Sequence, residues 1–109
     1  MRTVELPSVQ GQPIDSFGSV GFAALVYMGK SRVTVCRLEP GGRIGRHKAP
    51  VDQLFVVVSG FGKISDGSVE LQAGTGQAVQ FDAGDEHETT SSEGLYAVIL
   101  ESPELAGQV

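Results

Sequence analysis

The chain has 109 residues and carries eight Lys or Arg against thirteen Asp or Glu, a formal charge of −5. That length holds one core rather than two, and that charge argues against nucleic acid or an anionic membrane as the main partner. Hydrophobic residues at 40% and charged residues at 19% suit a soluble globular domain rather than a disordered chain.

Fifteen glycines, about twice the usual share of roughly 7%, are spread along the sequence and favour short strands joined by many turns. The expectation is one all-β domain over residues 1–109, with an N-terminal arm over about 1–21. Apolar residues recur every second position or run continuously for four to seven, and no long segment shows a period of 3.6.

In chain order, "MRTVELPSVQ" lacks the apolar core of a signal peptide and suits a strand near 2–6. A second strand covers 22–28; Phe22 to Met28 is the longest apolar run and is far too short to span a bilayer, so the default compartment is the cytoplasm. After "MGK", a strand over 31–39 holds the only cysteine, Cys36, which excludes an intramolecular disulfide or a four-thiolate zinc site. Lying among β-branched residues, Cys36 reads as a small buried hydrophobe.

"EPGG" then reads as a turn into a strand over 43–49 that carries His47, one of only two histidines. Arg43, Arg46 and Lys48 surround it. They form either an ordinary solvated turn or a positive rim that draws an anionic ligand.

Strands follow over 53–59, 61–65, 68–73, 77–81, 86–91 and 95–101. The separators "SGFG", "SDGS", "QAGTG", "DAGD" and "SSEG" are all turn chemistry. Asp-Gly in "SDGS" tolerates the positive φ of a tight hairpin. In "QLFVVVS", Gln53, Phe55 and Val57 share one face, and Gln53 is its polar exception. A buried amide without partners costs about 1–3 kcal/mol, so Gln53 calls for a reason. His87 shares its face with Thr89 and Ser91, while Glu86 and Glu88 point the other way. "SPEL" at 102–105 is the single helical hint.

These residues resemble the two motifs of the small single-domain cupins. Gly41, His47 and Gly60 fall on the first motif, with Ala49 where that family has a second His and Gln53 where it has Glu. Gly76, Gly84 and His87 fall on the second, with Asp82 for Pro and Ser91 for Asn. The motif region spans about 41–91. The resemblance implies a double-stranded β-helix, a jelly-roll barrel, with glycines at its corners and the two histidines meeting inside.

A full family site holds a divalent transition metal with three imidazoles and one carboxylate. Carried over residue by residue, the metal ligands here would be His47, His87 and the amide oxygen of Gln53, a weakened set for zinc, nickel, iron or copper. No acidic residue lies in phase to replace the lost carboxylate.

Three readings follow. A weakly held metal polarises a small molecule for isomerisation, cyclisation or oxidation. Alternatively, a histidine shuttles protons without metal, or the domain only binds or senses a ligand. Gln53 and Phe55 inside, with Arg43 at the rim, are the expected ligand contacts. No catalytic residue is identified beyond this set. The expected partners are a small molecule, anionic if the basic cluster serves it, and a second copy of the chain, joined through the arm or the outer face of 53–58.

Overall fold

The computed structural model describes residues 1, 12–28 and 31–103. Eight strands run in order: β1 (Gln12–Pro13), β2 (Val20–Met28), β3 (Arg32–Lys48), β4 (Gln53–Ser65), β5 (Glu70–Gly74), β6 (Ala78–Phe81), β7 (Glu86–Ser91) and β8 (Leu95–Glu101). Among the described residues there is no α-helix, only a single 3-10 turn at Ser16–Gly18. The expected strand at 2–6 and the second half of "SPEL" lie outside the described residues. Within them, no helix is long and apolar enough to cross a membrane.

Two expected turns are corners within long strands. β3 runs straight through "EPGG": Arg32–Leu38 pairs with β8, and Gly42–Lys48 pairs with β7. β4 does the same at Gly60, pairing first with β6 and β8 and then with β5 and β7. One sheet is therefore β1, β2, the first half of β3, β8, the first half of β4 and β6. The other is the second half of β3, β7, the second half of β4 and β5. The jelly-roll barrel closes because two strands belong to both sheets.

The corner in β4 requires glycine. Gly60 has φ +98°, and a Cβ there would lie 2.3 Å from the carbonyl oxygen of Gly94. No L side chain fits that approach.

The core follows from the alternation. Cys36, Leu38, Ile44, Phe55, Val57, Ile64, Phe81, Leu95 and Ala97 are buried between the sheets. Cys36 is fully enclosed, and burial pushes its thiol up to about 12, opposed in part by the Ala97 backbone. It is a packing residue.

Candidate functional site

His47 and His87 are direct cross-strand partners on β3 and β7. They stand side by side in one sheet rather than facing each other across the barrel. Their ring centroids are 4.5 Å apart, with planes tilted by 59°. Gln53, at the start of β4, is also buried. It pairs with Phe81 on one side and Glu101 on the other. The three polar residues line a single cavity of about 280 Å³, together with Phe22, Ile44, Phe55 and Thr89. This volume lies at the small end of ligand sites.

A bulge aims His47 inward. The register between β3 and β7 shifts between Ile44 and His47. Both residues face the interior although three positions apart, which an unbroken strand forbids. The same shift corrects the expectation for Arg43. Counted back from His47 by twos, Arg43 shares its face, but the bulge reverses that phase. Arg43 is exposed and donates to the carbonyl oxygen of Gly18 at 2.8 Å, outside the cavity. Arg46 is held on the surface by Glu86 at 2.9 Å.

The cation that does line the cavity is Arg32, which sequence reasoning passed over. It sits 3.8 Å from the carboxylate of Glu101, so its charge is already matched.

The two imidazoles are held differently. His47 Nδ1 lies 2.8 Å from the carbonyl oxygen of Gly45. A carbonyl only accepts, so Nδ1 is the nitrogen that donates here, and Nε2 is the one turned away from this bond. His87 is 4% exposed and stacks on Phe81 with centroids 3.7 Å apart and planes within 7°. Its Nδ1 is buried and has no hydrogen-bond partner. Burial first, and the neighbouring His47 second, push the His87 pKa down to about 4. The backbone and carboxylate of Asp85 oppose this in part, although the Asp85 carbonyl does not reach hydrogen-bond geometry at Nδ1. At neutral pH His87 is an uncharged group.

The donors fit a divalent transition ion in part. Two imidazoles bound to one ion at about 2.0–2.1 Å bring their centroids to roughly 4.5–5 Å, close to the spacing seen. His47 Nε2 is free for such a bond, with Nδ1–H anchored as a ligand's second nitrogen should be. His87 lacks that anchor. No group of three or more His, Cys, Asp or Glu suited to a metal occurs among the described residues. Ala49, where a third imidazole would stand, is buried in the core.

A short strap covers the site. Phe17 stacks on His47 with centroids 4.5 Å apart and planes within 15°. Its φ of +60° is left-handed, unusual for a bulky residue. The strap is seated on the bulge itself. A Cβ at Gly45 would fall 1.4 Å from the carbonyl oxygen of Phe17, and Gly45 N–H donates to Ser19 Oγ at 3.1 Å.

A family model described as "Cupin domain" matches residues 34–101. Among solved structures, the polyketide cyclase RemF from Streptomyces resistomycificus superimposes with TM-score 0.79 at 15% identity, covering 95% of this chain and 80% of that one. A predicted oxalate decarboxylase from Thermotoga maritima gives 0.77 at 18% identity, covering 93% and 99%. A conserved protein of unknown function from Streptococcus pyogenes is 26% identical, with TM-score 0.65 and coverage of 82% and 78%. No curated protein matches the sequence.

Proposed function

The chain belongs to the cupin family, and on that premise we propose that the cavity between its sheets binds a small, largely apolar molecule by an oxygen-bearing end. The observation that carries this reading is convergence. Three polar side chains, from β3, β7 and β4, meet in one space whose walls include Phe22, Ile44 and Phe55 beside Thr34, Thr89 and the ion-paired Arg32. The aromatic and aliphatic walls supply affinity, and the few polar groups supply orientation.

His47 accepts a hydrogen bond or a proton at Nε2 while Gly45 holds the opposite nitrogen in place. Gln53, whose side chain lines the same cavity, can both donate and accept. This set suits proton movement within a bound carbonyl compound, the step an isomerase or cyclase needs. It equally suits recognition without turnover.

The test is a titration of the protein with small ketones and phenols, followed through the His47 and His87 ring resonances. Saturable shifts are expected, weakened at least tenfold by Gln53→Ala. No movement of either ring with any compound overturns the reading.

The centroid spacing favours a second reading. His47, His87 and the Gln53 amide oxygen would hold a zinc, nickel, iron or copper ion, which would supply Lewis-acid polarisation of the bound oxygen. Without a carboxylate the affinity is weak, so elemental analysis after incubation with each metal is decisive. Unchanged metal content in His47→Ala rejects this reading.

A homodimer remains the proposed assembly. Val58 and Tyr96 are 53% and 52% exposed and lie next to each other where β4 meets β8. They give the outer face an apolar patch. A monomer mass by light scattering across the micromolar range rejects it.

A further inference from the structure

The strap at Ser16–Gly18 places an aromatic ring where a ligand would have to stack. Phe17 is 57% exposed, yet it also lines the cavity. One side of its ring meets solvent and the other covers His47. It heads a column of rings that runs from the surface to the core: Phe17 on His47, His47 against His87, and His87 on Phe81.

Several independent features hold it there. The left-handed φ at Phe17 disfavours the position for a bulky side chain, so the surrounding contacts must impose it. Gly18 follows with φ +69°, and its carbonyl is gripped by Arg43. Gly45 leaves room for the Phe17 backbone to come close, as a side chain at that bulge would not. The seat, the His47 tautomer and the inward turn of His47 are therefore set by the same three residues, Gly45 to His47.

A group with this placement decides what reaches the histidines. A molecule entering under the strap must take the place of the Phe17–His47 stack. A flat, conjugated molecule restores that contact on both faces, as an aromatic pair does. A saturated molecule of equal size breaks the stack and replaces it with nothing directional. Phe22 and Phe55 on the cavity wall extend the same preference inward.

We propose that Phe17 is the specificity-determining residue of the cavity, and that the ligand is a planar aromatic or conjugated molecule carrying a hydroxyl or carbonyl oxygen. This rests on the small-molecule reading above and names its ligand class.

The test compares two probes of matched size, 2-naphthol and the saturated 2-decalinol, titrated into the full chain and read through the His47 ring resonances. 2-Naphthol is expected to bind at least tenfold more tightly. In Phe17→Gly, which suits a φ of +60° and keeps the strap's backbone, that preference is expected to fall below threefold. Phe17→Tyr is expected to retain it. Because Phe17 is exposed, neither variant threatens the fold, and thermal melts verify this.

Equal affinities in the parent chain, or an undiminished preference in Phe17→Gly, overturn the proposal and leave small-molecule binding intact. If neither alcohol binds either protein, the proposal falls, and small-molecule binding falls with it only where the ketones and phenols also leave both rings unmoved. A second arm needs no ligand. Diethyl pyrocarbonate should modify His47 at least fivefold faster in Phe17→Gly than in the parent chain, and equal rates reject the covering role.

Discussion

Two of the hollows among the described residues lie on either side of one stacked pair, with Phe81 lining one and His87 the other. The cavity holding His47, His87 and Gln53 measures about 280 Å³. A groove of about 450 Å³ lies beyond Phe81, bordered by Val69, Leu71, Val79, Asp66, Asp85 and Glu86. The larger hollow is the poorer candidate. Its acidic groups are already engaged by their surroundings: Asp66 accepts from the backbone of Ser68 and Val69, Asp85 from the backbone of Asp82, and Glu86 from Arg46. In the smaller cavity the polar groups include a buried nitrogen without a partner, and a buried amide faces the same space. Unspent hydrogen-bonding capacity in an apolar enclosure marks a site better than volume does.

Removing the ring that backs His87 breaks the contrast outright. Phe81 is buried and stacked on His87, so Phe81→Ala should cost about 3–5 kcal/mol in urea unfolding. A loss below about 1 kcal/mol would mean that the two hollows are not separated by a packed ring.

Acid tests the cavity side alone. Above about pH 6.5 His87 is neutral in both folded and unfolded chains, and pH has no effect through it. Between about 6.5 and 4 the unfolded chain binds a proton that the folded one refuses, so stability falls as pH drops. In chelator-treated protein the loss should be on the order of 2–3 kcal/mol by pH 4. His87→Phe should flatten most of it. An unchanged slope in that variant places the acid sensitivity elsewhere.

Gln53→Glu sharpens the same side. In metal-free protein a carboxylate among these walls should cost about 1–3 kcal/mol. If the cavity holds an ion, the variant should bind zinc at least tenfold more tightly by competition titration. No gain in affinity removes the metal reading.

On the groove side, Glu86→Gln should cost under about 1 kcal/mol, because the Arg46–Glu86 pair is nearly half exposed. It should leave the His47 and His87 resonances in place. Movement of either would show that the two hollows communicate.

Much of this arrangement is legible in the residues. Alternation in "QLFVVVS" puts Gln53, Phe55 and Val57 inside, and they are buried there. Both histidines lie in strands that reach one cavity. What local pattern misses are the effects of contacts distant in sequence. "EPGG" carries the composition of a turn, yet pairing with β7 and β8 draws it into one bent strand. Arg43 belongs by charge to the cluster around His47, and only the partner strand reveals the bulge beside which it lies outside the cavity.

The strap over His47 has one trace in the sequence, the lone Gly45 in "RIGRH". A glycine inside a strand signals a bulge or a close backbone, and here it marks both. Nothing near it names Phe17, 28 positions away, as the backbone that approaches. Arg32 is likewise at the cavity through cross-strand register with Glu101 rather than through any motif.

That β3 and β4 each start in one sheet and finish in the other also fixes how the protein opens. Neither sheet can detach without breaking strands that the other uses, so no small subset of strands forms a separable unit. Slowly exchanging amides in Arg32–Leu38 and Gly42–Lys48 should then share one opening free energy, equal to that of global unfolding. Assembly should also be slow for a chain of this size. The pairings that close the barrel, such as Arg32 with Glu101, join residues far apart in sequence, and such topologies fold in milliseconds to seconds rather than microseconds. The cavity is thus complete only when the long-range ladders have zipped, and it is lost only with the fold as a whole.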